Sequence, residues 1–225
     1  MLTLQDIQQD SVFLTLIENS SAYLRARGYT DHGLRHVSYV SKTTARILED
    51  LGFDDRTVEL GAIAGYLHDI GNLINRKHHS ISGATIVYSE LRRLGMDVEE
   101  ICSITTAIGN HEEEIGKAVS PITSALILAD KSDAHRTRAN RLDDDTRPGI
   151  HDRVNLAITD GKLYVDQARH VITLEIAFDQ QICQIMDFFE IYLTRMEMCK
   201  EASIVLGCRF RLLINDLEFL GELGL

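Results

Sequence analysis

The sequence predicts a mostly α protein: a helical bundle over about the first 140 residues, then a small C-terminal α+β extension of short antiparallel strands and one long helix. Three observations predict it. Apolar residues recur at helical spacing through the N-terminal part, with Gly mainly where helices would end. Only Pro121 and Pro148 interrupt the chain. Short β-branched runs appear only in the last third. The polar stretch NRLDDDTRPG at 140–149 separates the two parts, giving units of 1–147 and 148–225.

Residues 35–51 place Val37, Val40, Ile47, Leu48 and Leu51 on one stripe, closed by Gly52 at the position that follows a helix cap. Residues 55–70 repeat the pattern with Val58, Leu60, Ile63, Ala64 and Leu67. A helix over 80–94 ends at Gly95, and the next, over 97–110, carries Val98, Ile101, Ile104 and Ile108. Ser120-Pro121 supplies an N-cap and a first-turn proline for a helix running through ITSALILADKSDAHRTR. RVNLAI, KLYVD and VITLEIAF then read as strands, with Asp160-Gly161 as the hairpin turn between the first two. A helix from about Gln180 to Leu206 shows Ile182, Ile185, Met186, Phe189, Tyr192, Leu193 and Met196 on one face, its methionines reading as core filler. RFRLLINDLEFL closes the chain as a hairpin around Asn215-Asp216.

The 225 residues carry 23 Lys+Arg against 34 Asp+Glu, a net charge of −11, and 44% are hydrophobic. Such a chain has ample side chain for a core, which excludes intrinsic disorder. No apolar run approaches the roughly 18 residues of a membrane span. The acidic balance argues against a long nucleic acid as partner. The first cation is Arg25, and the four cysteines form no CxxC pair. Both point to a cytoplasmic protein with reduced, buried thiols.

The chemistry starts at LGAIAGYLHDIGNLI, residues 60–74, where His68 and Asp69 are the only ionisable groups besides Tyr66 in an apolar stretch. A buried carboxylate needs a partner. That partner is either a metal ion shared with imidazoles or a His–Asp hydrogen bond tying two helices. His36, His79, His111 and Asp130 repeat the anomaly on other helices. Each alone reads equally as a satisfied core group, a helix-end cap or a solvated residue; together they point to one site. Imidazole and carboxylate without thiolate suit a divalent transition metal, with Fe or Mn foremost and Zn, Co, Ni or Mg as alternatives, rather than calcium.

The order His36, His68-Asp69, Asp130 resembles the HD-domain superfamily of metal-dependent phosphohydrolases, and the further histidines resemble its binuclear members. HDIG at 68–71 is similar to that family's HDIGK, His79-x-x-x-Gly83-Ala84 to its H-x-x-x-G-A, and ADKSDA at 129–134 to its A-D-x-x-D-A. Asn110-His111-Glu112 stands where the HD-GYP branch has His-His-Glu. Asn72 replaces the lysine of HDIGK, Asn110 replaces a histidine, and no Gly-Tyr-Pro follows, so cyclic di-GMP hydrolysis is not carried over. The resemblance implies one ion on His36, His68, Asp69 and Asp130. It implies a second on His79 (or the adjacent His78) and His111, with Asp69 bridging. A hydroxide held between two such ions, about 3.5–4 Å apart, would attack phosphorus. Asp69 and Asp130 are then catalytic, and Asp133 either orients a water or pairs with Arg136.

Lys131, Arg136, Arg138, Arg141, Arg147 and Arg153 form a cationic cluster beginning one residue after Asp130. Lys131, Arg136 and Arg138, with Asn72, are the expected substrate contacts, because a guanidinium fork matches phosphate oxygens. Pairing with Asp143, Asp144 and Asp145 is the alternative for Arg141 and Arg147. The expected substrate is a small phosphorylated metabolite or nucleotide, or within the same class a dinucleoside polyphosphate. The competing readings are a non-catalytic HD module that binds a nucleotide or partner, and a purely structural bundle. No Walker A loop or Gly-rich dinucleotide turn is present, which disfavours a kinase or dehydrogenase. The extension is expected to serve as a homodimer interface or as a lid.

Overall fold

The structure, a computed structural model, describes residues 1–29, 32–134 and 149–220. Helices α1 (Leu4–Gln9), α2 (Ser11–Ala26), α3 (Leu34–Asp50) and α4 (Asp55–Leu67) lead into a 3-10 turn at Ile70–Leu73. Then come α5 (His79–Arg93), α6 (Val98–Gly109) and α7 (Pro121–Ser132). Most of these helices begin on side-chain caps. Asp10, Asp54 and Asp97 accept from the first free N–H groups of α2, α4 and α6, and Ser120 Oγ accepts from Thr123 N with Pro121 at the first position of α7. Helices α3 and α5 end at Gly52 and Gly95, whose φ of +80° and +78° suits residues without a Cβ. The stripes read from sequence are buried: Val37, Val40, Ile47 and Leu48 of α3 meet Ile63, Ala64 and Leu67 of α4. Burying one such aliphatic side chain contributes about 1.5–3 kcal/mol.

The C-terminal part consists of α8 (Ile150–Ala157), β1 (Ile158–Asp166), β2 (Val171–Phe178), α9 (Ile185–Val205), β3 (Arg209–Ile214) and β4 (Leu217–Leu220). The strands form one sheet in the order β1-β2-β3-β4. β1–β2 and β3–β4 are antiparallel hairpins, the second being the one expected around Asn215-Asp216, but β2 and β3 pair in parallel, Val171 opposite Arg209 and Ile176 opposite Ile214. A parallel pair needs a long crossover, and α9 supplies it. Strand periodicity alone cannot distinguish the two pairings.

Three local expectations are corrected. RVNLAI is mostly the end of α8 rather than a strand, because Val154 and Ala157 point into the core at helical spacing, overriding their β preference. Asp160-Gly161 lies inside β1 at a register shift, and the turn to β2 falls at 167–170, where His170 has φ +54°. On α9 the buried face is Phe188, Tyr192, Met196, Cys199 and Ala202, whereas Met186 and Leu193 are 68% and 50% exposed. The helix is apolar around most of its circumference, so its periodicity does not select the face that packs against α7 and β3. Among the cysteines, Cys102 is exposed while Cys183, Cys199 and Cys208 are buried free thiols. The boundary at 147/148 lies outside the described residues. No helix among the described residues is long and apolar enough to cross a membrane.

Candidate metal centre

Helix ends converge on one point in the bundle. His36 is the third residue of α3, His68 caps the C-terminus of α4, and Asp69 precedes the 3-10 turn. His79 opens α5, His111 follows the cap of α6, and Asp130 lies in the last turn of α7. His36 and His68 are fully buried, and His79, His111 and Asp69 are nearly so. His36 Nε2 lies 3.2 Å from His68 Nε2, 3.4 Å from Asp69 Oδ2 and 3.4 Å from Asp130 Oδ1. His79 Nε2 lies 3.1 Å from His111 Nε2 and 3.4 Å from Asp69 Oδ1. His78 is exposed at φ +60°, so His79 is the one whose ring joins the cluster. Gly71 allows the close approach: a Cβ there would come within 2.5 Å of Gly83 N and nearer still to His79 O.

Hydrogen bonds fix the protonation pattern of the rings. Nδ1 of His68, His79 and His111 faces the main-chain oxygens of Gly65, Arg76 and Ile108 at 2.9, 2.9 and 2.6 Å. A carbonyl only accepts, so each Nδ1 carries the proton. His36 Nδ1 likewise donates to Asp133 Oδ2 at 2.6 Å. In the neutral rings all four Nε2 atoms are therefore bare lone pairs, and they point at one another. Lone pairs 3.1 and 3.2 Å apart repel unless a proton or a metal ion lies between them. Asp69 Oδ2 has the same need: it is buried without a hydrogen bond among the described residues, although the His36 and His68 nitrogens are each 3.4 Å away.

The donor set fits a divalent metal. Ligand bonds near 2.0–2.2 Å give polyhedron edges of roughly 3.0–3.5 Å, the spacing found here. His36, His68 and Asp130 form one three-ligand group, and His68, Asp69 and His111 a second. Asp69 turns one oxygen to His36 and His68 and the other to His79, the disposition of a bridging carboxylate. The electrostatics favour positive charge at the first group. Burial disfavours a charged His68, but Asp69 and Asp130 outweigh it and raise its pKa to about 10. Burial, with His79, His68 and Lys131 adding to it, pushes His111 down to about 3. Against the cost of burial, His68 holds Asp69, and Lys131 holds Asp130, well below the carboxylate range.

The remaining expected residues are placed differently. Asp133 lies behind His36, accepting from its Nδ1 at 2.6 Å and paired with Arg35 at 2.6 Å. Asn72 donates to Asp69 O and Oδ1 at 3.0 and 2.8 Å, which fixes that carboxylate. Lys131 lines the cavity described below, buried and held by Asp130 Oδ2 at 2.7 Å and Glu113 Oε1 at 3.1 Å. Arg136, Arg138, Arg141 and Arg147 lie outside the described residues. Sequence reasoning missed His32, 4.0 Å from Asp69 Oδ2, and Glu112, which accepts from Ser80 Oγ and His78 N at the start of α5. It also missed Glu113, whose pKa Lys131 and Arg195 lower to about 2 against the cost of burial. The sequence signal for His32 and Glu113 was proximity to His36 and His111, and Glu112 stood in the Asn110-His111-Glu112 motif without a role being assigned to it.

A cavity of about 450 Å³ opens beside the cluster, reaching Asp69, His79 and Asp130 on one side and His151, Tyr192 and Arg195 of the C-terminal part on the other. The HD domain family matches residues 33–137, which contain every candidate ligand. No curated protein matches the chain.

Proposed function

We propose, from the premise that residues 33–137 are an HD domain, that the protein is a divalent-metal phosphohydrolase acting on a nucleotide or related small phosphate ester. The observation that carries this reading is the convergence of His36, His68 and His79 Nε2, each 3.4 Å from an oxygen of Asp69, with His111 Nε2 3.1 Å from that of His79, while Asp69 Oδ2 is buried without a hydrogen bond among the described residues. His36, His68, Asp69 and Asp130 would hold one ion. His79 and His111, sharing Asp69, would hold a second. Such ions supply Lewis acidity toward phosphoryl oxygens and make a water acidic enough to attack at neutral pH.

The chain's own groups do the rest. The Nδ1 donors keep each ring in the ligating tautomer, and Asn72 fixes the plane of Asp69. Lys131 occupies Oδ2 of Asp130, which leaves Oδ1 turned to His36 and His68. Burial of the cluster excludes bulk water, and the cavity gives a small ester access from one side.

The test is to purify the protein without added metal, load it with Mn or Fe, and measure metal per chain beside phosphate release from a panel of nucleotides and sugar phosphates. About two ions in the wild type, with loss of release in His68→Ala and His79→Ala, is the expected result. Wild type that takes up neither metal refutes the proposal.

A further inference from the structure

Arg195 lies outside the HD-matched residues, yet it lines the same cavity as Asp69, His79 and Asp130. Its Nε is held 3.0 Å from Glu113 Oε1, and its guanidinium carbon lies 4.8 Å from the centre of the Tyr192 ring. That ring is fixed in turn, stacked on Phe188 at 4.8 Å with its hydroxyl donating to Asn155 Oδ1 at 2.8 Å. The side chain is 28% exposed. Its two Nη nitrogens have no hydrogen bond among the described residues. Of the other cations beside the cluster, Lys131 is paired with Asp130 and Glu113 and Arg35 with Asp133, while Arg76, which also lines the cavity, makes a long contact of 3.4 Å to Asn72 Oδ1.

Contacts of 2.7, 3.1 and 3.0 Å run in series from Asp130 Oδ2 through Lys131 and Glu113 to Arg195 Nε. Arg195 is thus tied to a candidate metal ligand but separated from it by two side chains. The series alternates in sign, Asp130 and Glu113 against Lys131 and Arg195, so it is neutral as a whole and ends on the guanidinium at the cavity. A guanidinium held at Nε and over an aromatic face has lost most of its rotamer freedom and presents its remaining donors in a fixed fork.

We propose that Arg195 is a substrate-binding residue that α9 adds to the HD site, gripping a second anionic group, such as a neighbouring phosphate, beyond the phosphoryl that reacts. The assignment rests on the phosphohydrolase reading for the identity of the reacting group. It makes the site selective for doubly anionic substrates, such as diphosphates, over simple monoesters.

The experiment titrates inorganic phosphate and pyrophosphate into wild type, Arg195→Gln and Arg195→Lys by calorimetry, metal-free and Mn-loaded, with Mn per chain measured in each. Pyrophosphate is expected to bind wild type more tightly than phosphate. In Arg195→Gln its affinity falls roughly tenfold or more, while phosphate affinity and Mn content are unchanged. Arg195→Lys, which keeps the charge and loses the fork, falls between the two and also shows that the site remains folded. Arg195→Gln that binds pyrophosphate as wild type does, or that loses phosphate and pyrophosphate equally, overturns the assignment. Wild type that takes up no Mn refutes the hydrolase reading instead, and the metal-free titrations of the same variants still decide the role of Arg195.

Discussion

Gly71→Ala tests how the second half of the cluster is built. A Cβ on residue 71 would stand 2.5 Å from Gly83 N and 2.8 Å from His79 C, with His79 O closer still, and all three are main-chain atoms of α5. Real Cβ contacts do not fall below 3.0 Å, so relieving the contact with His79 O alone moves α5 away from the 3-10 turn by about 1 Å. Metal sites tolerate ligand displacements of only about 0.2 Å. His79 rides on α5 and Asp69 on the chain leading into the turn, so the displacement falls between them. His36, His68 and Asp130 come from α3, α4 and α7 and stay in place. Overpacking of this kind costs about 1–3 kcal/mol, which in a chain of this size lowers Tm by roughly 2–10 °C. The expected result is a folded variant with one ion per chain fewer than wild type, read by mass spectrometry and by calorimetric titration of Mn. A variant with wild-type Tm and metal content refutes the packing argument. One with lowered Tm and full metal content refutes the coupling to His79.

Other perturbations follow from the same structure. Asp133→Asn removes the charged acceptor behind His36 and should weaken metal binding by about 10- to 100-fold, measured by Mn titration, while leaving the fold intact. On α9, Met196→Ala should lose about 2–5 kcal/mol in urea unfolding, whereas Met186→Ala, on the exposed face, should stay within about 0.5 kcal/mol; equal losses would put the core on the wrong face. The hydrogen bonds from Arg56 hold the Glu100 carboxyl below its ordinary 4.5. A depressed carboxylate stabilises the fold above its unfolded pKa and stops doing so as pH falls through the folded one. The stability gap between wild type and Glu100→Gln should therefore be present at pH 7 and close as the pH drops below 4.5, which urea melts across pH will show.

The helices were legible because their signals are local: a stripe such as Val37–Val40–Ile47–Leu48, a cap such as Ser120-Pro121, a stop such as Gly52. The candidate ligands were legible for the opposite reason. His68, Asp69 and Asp130 are polar groups inside apolar runs, and only a shared partner makes that burial tolerable. What escaped depends on contacts across the chain. Nothing near Arg195 in sequence announces Glu113, and nothing in VITLEIAF says that its neighbour will run parallel. The helix containing Val154 shows β-branched residues outvoted by core geometry, and α9 shows a pattern too uniformly apolar to orient itself.

The carbonyls of Gly65, Arg76 and Ile108 that hold three of the imidazoles belong to the main chain, each three residues before its own histidine. No substitution can delete such an acceptor; only a change in the path of the backbone can. His36 Nδ1 instead depends on a side chain, that of Asp133, and His79 Nδ1 has the Glu112 carboxylate 3.4 Å away besides its main-chain acceptor. The orienting shell is therefore hereditarily uneven. Three of its four tethers have main-chain acceptors that replacing a side chain leaves in place, whereas the acceptor of the fourth can be changed directly at position 133.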